Sequence, residues 1–368
     1  MSSSGQGPPH PFRYSAGSPL IIRSITKIHP GLGRGAGAVD LPVQRDELGF
    51  PVIYASSLKG SIKSTAWLKV RGKTDDDKEV KKFKLIFGPD PQLDESSGGG
   101  SRGKGLFDSS VMFLDAFLLF MPIRSLKGVY VYVTFPHAIE NLVEMLKTLK
   151  GISSGDGCNI LDKIEKLSLD SGSIPTSGTA AIANDMNRVA LEANGGKWIV
   201  LNDNMVFELD TSKGGEALKI LREFLSERVP SSKNVPLLLL NDEDARLVIE
   251  RGLQVVTRVA LETRDKGIKR VKKGALWTTE YIPRGSIFFS LMLAKPPSPR
   301  ALKELFGDEQ SDLSDAEKVL KEVKEYTKYV ILGGDETVGA GIVELQTDCK
   351  STSGNGGQNQ AQNSGGGD

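Results

Sequence analysis

A glycine-rich segment near the start of the chain carries a histidine, a carboxylate and an arginine close together. It runs from His29 to Asp46 and reads HPGLGRGAGAVDLPVQRD. Glycine at every second position lets the backbone take positive φ and come close to a ligand. Asp40 could there accept a proton or hold Mg²⁺, and Arg45 could bind phosphate. These residue types favour chemistry on a phosphoester.

Two nucleotide-binding motifs resemble this segment and do not fit it. Gly31, Gly33 and Ala36 match G-x-G-x-x-G/A, but Pro42 follows where a dinucleotide site needs a helix. The P-loop pattern lacks its Gly-Lys-Ser/Thr. From spacing alone, a flexible surface loop in front of a capped helix is as good an interpretation as a ligand-binding loop.

The flanking sequence predicts the elements that position this loop. Residues 20–28 form an apolar run that predicts a strand. Ser56 or Ser57 is expected to cap a helix that reaches about Val70 and has Leu58, Ile62 and Ala66 on its apolar side. The segment is thus predicted to join a strand to a helix.

The rest of the chain alternates between strand and helix patterns and predicts an α+β fold. Strands are expected at 111–121, 127–135, 197–201, 205–209, 235–240, 287–294 and 341–345, and helices at 138–149, 215–227, 241–251 and 315–328. The order strand, helix, strands, helix begins a ferredoxin-like (RRM-like) sheet. Residues 1–18 are predicted to form a flexible arm, about 71–110 and 151–196 to be insertions, and 348–368 to be a disordered tail.

Bulk composition narrows the functional classes. The 368 residues have a net charge of +1, so any contact with nucleic acid must come from a local basic cluster. Cys158 and Cys349 are too few and too far apart for a disulfide framework or a zinc site, which favours the cytoplasm. No apolar run approaches the ~20 residues that span a bilayer, so no membrane association is expected.

One such basic cluster lies at residues 253–279. β-Branched segments flank TRDKGIKRVKK, with a turn expected at Lys266 and Gly267. Its basic residues, set against Asp265, are Arg264, Lys266, Lys269, Arg270, Lys272 and Lys273. The pattern predicts a basic hairpin, although most charge runs are simply solvated faces.

Three blocks in the chain resemble a known family. VDLPVQRD with GFPVIYASSLKGSIKS, then GALWTTEYIPRGSIF, then LGGDETVGAGIVEL occur in that order. They are similar to the signatures of the RAMP superfamily, and most closely to the backbone subunit of the Cmr complex, the type III-B CRISPR effector that targets RNA. The resemblance implies a ferredoxin-like RAMP core with two insertions and a hairpin thumb at about 253–279.

The resemblance also implies an activity and partners. Copies of the subunit stack in a helical backbone along a guide RNA, with other Cmr-complex subunits, and cleave complementary target RNA. Asp40 matches the residue that cleaves target RNA and is a candidate ligand of Mg²⁺ or another divalent cation. Candidate RNA-binding residues are His29, Arg45, Ser57, Lys59, Lys269, Arg270, Lys272, Gly333 and Gly334, and Glu280 and Tyr281 are candidates for catalytic support.

Two other functions remain open on the sequence. One is a non-catalytic RNA-binding scaffold subunit of a CRISPR effector complex, for which a carboxylate beside phosphates has no purpose. The other is a RAMP endonuclease that processes guide precursors. That activity predicts a histidine cluster, whereas the chain has only His10, His29 and His137.

Overall fold

One large sheet forms the centre of the fold, and two long strands pair with each other in a separate sheet. The computed structural model describes residues 13–35, 37–89, 107–153, 159–183, 186–264, 268–307, 311–326 and 328–347. The strands are β1 (Ala16–Ser24), β2 (Val52–Ile53), β3 (Val111–Phe113), β4 (Ala116–Ser125), β5 (Val129–Thr134), β6 (Thr179–Ala183), β7 (Leu191–Ala193), β8 (Gly196–Leu201), β9 (Met205–Asp210), β10 (Leu237–Leu239), β11 (Gln254–Arg264), β12 (Ile268–Tyr281), β13 (Ile287–Ala294), β14 (Tyr329–Ile331) and β15 (Ile342–Gln346).

The large sheet has the order β14-β15-β1-β13-β4-β5-β10-β6-β9-β8-β7 within the described residues. β1 pairs antiparallel with both β13 and β15, and β13 pairs antiparallel with β4. A bridge between Ser125 and Leu201 closes the run from β4 to β8 into a ring. Every residue of β13, IFFSLMLA, is buried, as the continuous apolar run predicted.

Helices cover this sheet. They are α1 (Ala55–Val70), α2 (Lys78–Phe87), α3 (Pro136–Ile152), α4 (Asn159–Glu165), α5 (Met186–Val189), α6 (Gly215–Arg228), α7 (Asp242–Gly252), α8 (Pro299–Phe306) and α9 (Ala316–Lys324). α3 contacts β1, β4 and β13, and α9 contacts β1 and β13. Leu58, Ile62 and Ala66 are buried, so the predicted apolar side of α1 is correct.

The start of α1 differs from its prediction. The helix begins at Ala55, and Tyr54 at the N-cap makes no side-chain capping bond, so capping by Ser56 or Ser57 is wrong. Distant side chains bind the free amides instead: Gln44 Oε1 accepts from Tyr54 N, and Asp115 Oδ1 accepts from Ala55 N. These partners lie in other segments, which a local capping pattern cannot detect.

Other boundaries also shift. β1 starts at Ala16, so the end predicted for the flexible arm at residue 18 falls inside a strand. The charged segment after α1 includes α2, which buries Val80, Phe83 and Ile86 and therefore belongs to the core. Within the second predicted insertion, β6 pairs with β10 and β9 of the large sheet. Residues 1–12, 90–106 and 348–368 of the predicted arm, first insertion and tail lie outside the described residues.

The predicted basic hairpin is formed by β11 and β12, an antiparallel pair that makes up a second sheet. Its register runs from Gln254 opposite Tyr281 to Val259 opposite Leu276 and, after a bulge, from Leu261 opposite Val271 to Arg264 opposite Ile268. The expected turn at 265–267 and Cys158 and Cys349 lie outside the described residues. Within the described ranges, no helix combines the length and apolar character needed to cross a bilayer.

Candidate functional site

The glycine-rich loop folds back on itself and lies along strand β12. Gly31 and Val43 form an antiparallel bridge, and Leu32 N donates to Pro42 O at 3.1 Å. Leu41 N donates to Thr278 O, and Glu280 N donates to Leu41 O, both at 3.0 Å. The loop is therefore attached to the base of the hairpin.

Asp40 is exposed on this loop and bonded to one residue of the hairpin, Thr278. Its Oδ2 accepts from Thr278 N at 2.7 Å and from Thr278 Oγ1 at 2.9 Å. The backbone N–H and then the hydroxyl of Thr278 hold the pKa of the Asp40 carboxyl below its ordinary value, and the charge of Arg34 lowers it further. Asp40 is thus ionised at neutral pH, and its Oδ1 makes no hydrogen bond to any described residue.

Glu280 is the buried centre of the loop's attachment. Its side chain is 3% exposed, and Oε2 accepts from Val43 N at 3.0 Å and from Arg45 Nη1 at 2.9 Å. Arg45 also pairs with Glu250 of α7 at 2.8 Å. Arg45, the candidate phosphate ligand, is therefore held between two carboxylates, and Glu280, the candidate for catalytic support, serves here as an anchor.

Tyr281, the next residue, attaches the hairpin to a second loop, residues 333–341. Its hydroxyl donates to Asp335 Oδ2 at 2.5 Å and accepts from Arg258 of β11. Lys27 Nζ lies 4.0 Å from the ring centroid. Burial, and then the bond to Asp335, raise the pKa of Tyr281 to about 12. Its phenol is therefore neutral at physiological pH and acts here as a hydrogen-bond donor.

His29 lies buried between these two loops. It is 8% exposed, and its Nδ1 is 2.7 Å from Glu280 O. A Cβ at Gly31 would lie 2.8 Å from His29 Nε2, and one at Gly333 would lie 2.2 Å from His29 O. Gly334 N donates to His29 O at 3.0 Å. Gly333 is thus required by packing against the backbone of His29, Gly31 lies close to the His29 ring, and the RNA-binding role of His29, Gly333 and Gly334 stays a prediction.

Lys59 is the fifth residue of α1 and faces an open cavity of about 380 Å³ that Arg13 and Lys295 also line. It makes no hydrogen bond or ion pair with the described residues. Burial, and then the charges of Lys63 and Lys295, lower the pKa of its ammonium. A half-buried ammonium without a partner among the described residues is suited to a phosphate. Asp108 lines the same cavity and pairs with both Arg13 and Lys295, and neither Asp108 nor Lys295 was predicted from the sequence.

Ser57, the other candidate in α1, is already bonded within the protein. Gln44 Nε2 donates to Ser57 Oγ at 2.9 Å and to Gly31 O at 3.2 Å. Gln44 is buried and joins the glycine loop to α1. Gln44 was not among the candidate site residues, and its packing against α1 was not predicted. In the sequence, only the polar side chain of Gln44 and its position next to Arg45 could have indicated this role.

The structure separates the predicted site residues into three places. His29, Asp40, Arg45, Glu280, Tyr281, Gly333 and Gly334 meet around the base of the hairpin. Ser57 and Lys59 lie at the start of α1. Lys269, Arg270 and Lys272 are exposed farther along β12, whereas Lys266 and the side chains of Arg264 and Lys273 lie outside the described part.

The described residues offer few side-chain ligands for a metal ion. Among the described residues, no group of three or more His, Cys, Asp or Glu side chains could hold a metal ion. Asp46 Oδ1 accepts from Leu48 N and Phe50 N at 3.0 and 2.8 Å and stabilises a turn. Asp40 offers an exposed carboxylate oxygen, Oδ1, which fits a cation that keeps most of its water, as Mg²⁺ often does.

Comparison with known proteins gives consistent matches over nearly the whole chain. A family model described as the RAMP superfamily matches residues 21–344. The chain is 31% identical over 351 residues to the CRISPR system CMR subunit Cmr4 of Saccharolobus solfataricus, covering 90% of this chain and 97% of that protein. It is 30% identical over 340 residues to the CRISPR system Cmr endoribonuclease Cmr4 of Pyrococcus furiosus, covering 91% and 96%.

Solved structures show the same similarity. The apo type III-B Cmr-beta structure contains a chain that is 30% identical, with a TM-score of 0.61, over 91% of this chain and 98% of that chain. The Cmr-beta structure bound to cognate target RNA matches with a TM-score of 0.60 at 30% identity, over the same shares of both chains.

The contact between Gly333 and His29 predicts a large effect of a single methyl group. Gly333→Ala places a Cβ against a backbone oxygen at a φ of +84°, and we expect it to lower the free energy of unfolding by about 3 kcal/mol. Gly339→Ala has a similar φ of +83° and no atom within 4 Å, and should cost only about 1 kcal/mol. Chemical denaturation measures both, and equal losses would contradict the proposed crowding at His29.

The ion pair between Glu280 and Arg45 predicts that removing the charge of Glu280 or of Glu250 will lower the stability by different amounts. Glu280→Gln removes a buried charge that accepts hydrogen bonds from Arg45 and Val43, and should lower the free energy of unfolding by about 2 kcal/mol. Glu250→Gln removes the partner whose side chain is 57% exposed, and should cost less than about 1 kcal/mol. Urea unfolding of both variants checks this. A larger loss for Glu250→Gln would show that the exposed pair is the stronger anchor.

Proposed function

The chain belongs to the RAMP superfamily, and we propose that it is the backbone subunit of a type III-B CRISPR (Cmr) complex that binds guide RNA and cleaves complementary target RNA. The observation that carries this proposal is the match over about nine-tenths of the chain to relatives of which one is named an endoribonuclease. The exposed, ionised Asp40 supports the cleavage step. Guide RNA, target RNA, further copies of the chain and other Cmr subunits are its proposed partners.

We propose that the core is ferredoxin-like and that β11 and β12 form the thumb. The sheet order β15-β1-β13-β4, antiparallel throughout, supports the core, because α1 follows β1 and α9 precedes β15 as in a βαββαβ unit. The exposed basic residues Lys269, Arg270 and Lys272 support an RNA-contacting thumb. The arm, insertions and cytoplasmic location remain predictions.

RNA supplies its own nucleophile for the proposed reaction. The 2′-hydroxyl attacks the neighbouring phosphorus, the bond to the 5′-oxygen breaks, and the products are a 2′,3′-cyclic phosphate and a 5′-hydroxyl. The protein must align these atoms and assist the proton transfers. Because its pKa is lowered, Asp40 is a weak base, so a slow reaction that depends on geometry is expected.

A divalent cation is proposed as the cofactor, held by Asp40 through Oδ1. When bound, it would stabilise the negative charge that develops on the phosphoryl oxygens. Thr278 fixes the other carboxylate oxygen, Oδ2, and Arg34 places a positive charge near the carboxylate. The residues of this chain would therefore orient one ligand oxygen and leave the rest of the coordination sphere to water and RNA.

The second candidate function is an RNA-binding scaffold that does not cleave. The anchoring roles of Glu280 and Tyr281 favour it, because neither side chain is free to join a reaction in this arrangement. Under this alternative, Asp40 would serve only to attach the loop to Thr278. The two functions thus predict different effects on RNA cleavage when the charge of Asp40 is removed.

Asp40→Asn tests the proposed activity in the assembled guide complex with Mg²⁺ and a labelled complementary RNA. We expect cleavage to fall at least about 100-fold, because the charge is lost, while target binding stays within about twofold. Chelation of the metal with EDTA should stop cleavage by the wild type.

Asp210→Asn is a matched control, because Asp210 is partly exposed and also accepts from the N–H and hydroxyl of a nearby residue, Ser212. It should leave cleavage unchanged. Wild-type cleavage by Asp40→Asn would refute the catalytic role and leave the scaffold function.

Lys59→Ala tests the guide-binding site. Loss of one phosphate contact should weaken guide binding about 10-fold and reduce the slope of log affinity against log salt by about one. Fluorescence anisotropy over a salt series measures both. Lys147→Ala on the exposed side of α3 is the control, and an equal effect of the two changes would indicate only a general loss of positive charge.

A further inference from the structure

Three hydrogen bonds join Asp40 to Thr278, a residue with no assigned function. Asp40 N donates to Thr278 Oγ1 at 2.9 Å, Thr278 Oγ1 donates to Asp40 Oδ2 at 2.9 Å, and Thr278 N donates to Asp40 Oδ2 at 2.7 Å. The single hydroxyl proton is committed to Oδ2, because the oxygen accepts from the amide. One threonine therefore fixes both the backbone and the carboxylate of Asp40.

The neighbouring part of the glycine loop does not hold the Asp40 side chain. All of the hydrogen bonds of that side chain to described residues go to Thr278. Within the loop, Gly35 N donates to the backbone oxygen of Asp40 at 2.9 Å and not to its carboxylate. The direction of the carboxylate is consequently set by β12 and not by its own loop.

The same strand carries the basic residues of the hairpin. Lys272 is exposed on β12, six positions before Thr278, and between them lies a bulge, because Leu276 is opposite Val259 whereas Val271 is opposite Leu261. Glu280 and Tyr281, just after Thr278, are anchored to Arg45 and Asp335. One continuous strand thus connects an exposed basic region to the carboxylate and to a fixed base.

We propose that Thr278 is a positioning residue that fixes the Asp40 carboxylate on strand β12, so that the carboxylate follows the hairpin when RNA is bound. This inference rests on the proposed function, since it assigns Thr278 a role in RNA cleavage through Asp40. The anchored base of the hairpin would then hold Asp40 at a fixed position relative to RNA that contacts β12. The carboxylate would adopt its working position only when the hairpin is correctly seated on the duplex.

Thr278→Val tests the proposal because valine keeps the branched shape and removes the hydroxyl. We expect the single-turnover cleavage rate of the guide complex to fall about 10- to 100-fold, since a small misplacement of a reacting group is costly. Target affinity should stay within about twofold. Thr278→Ser restores the hydroxyl and should cleave within about threefold of the wild type.

Thr257→Val is the matched control. Thr257 lies directly opposite Thr278 on β11, so its side chain is on the same face of the hairpin, and it is exposed without contact to Asp40. The same substitution there should leave both cleavage and binding unchanged. Thr278→Ala repeats the test if valine impairs assembly of the complex.

The results separate this inference from the proposed function. Loss of cleavage in Asp40→Asn and Thr278→Val, with activity kept in Thr278→Ser and Thr257→Val, supports the positioning role. Wild-type cleavage by Thr278→Val, or an equal loss in Thr278→Ser, overturns it even when Asp40→Asn is inactive. Wild-type cleavage by Asp40→Asn overturns the proposed activity itself, and this inference with it.

Discussion

The buried carboxylate of Glu280 is the constraint on which the site depends. An ionised group removed from water must be paired and hydrogen-bonded, or its desolvation outweighs what the fold gains. Glu280 meets this requirement with the guanidinium of Arg45 and the amide of Val43, both from the glycine loop. Its backbone carbonyl also lies 2.7 Å from Nδ1 of His29. The two ends of the loop are therefore held at one residue of β12, and the part between them, including Asp40, must follow that strand.

A second attachment at the next residue makes the base of the hairpin rigid. Tyr281 points to the opposite face of β12 from Glu280, as alternation along a strand requires. There its hydroxyl bonds to Arg258 of β11 and to Asp335 of the second loop, residues 333–341. The hairpin is thus fixed from both faces at its base, while Val271 and Leu276 farther out are exposed. A strand held at one end and open to solvent along the rest is suited to transmit contacts with RNA toward Asp40.

Local patterns in the sequence predicted the elements well, whereas the pairings between distant elements could not be predicted. The apolar run was sufficient to predict the buried strand Ile287–Ala294. The residue type of Asn241 was sufficient to predict the cap of α7, where its side chain accepts from Asp244 N. The position of β13 between β1 and β4 follows from packing of segments far apart in the chain. For the same reason, the pairing of Arg45 with two carboxylates that lie more than 200 positions away could not be predicted, and its role as a phosphate ligand stays a prediction. Gly31 and Gly333 suggested close approach of a ligand, which stays a prediction, whereas their closeness to the side chain and the backbone of His29 could not be predicted.

The charge of Asp40 is the strongest argument for chemistry at this site. A carboxylate whose pKa is lowered by Thr278 stays ionised, and it would repel the phosphates of any RNA placed beside it. A protein that only binds RNA would gain affinity by replacing it with a neutral or basic residue. The loop instead holds the charge exposed, and the net charge of the chain, +1, gives no general attraction that would offset the repulsion. Such a group is useful when a bound cation or the transition state turns its charge into a favourable interaction, which is what cleavage of the RNA backbone requires.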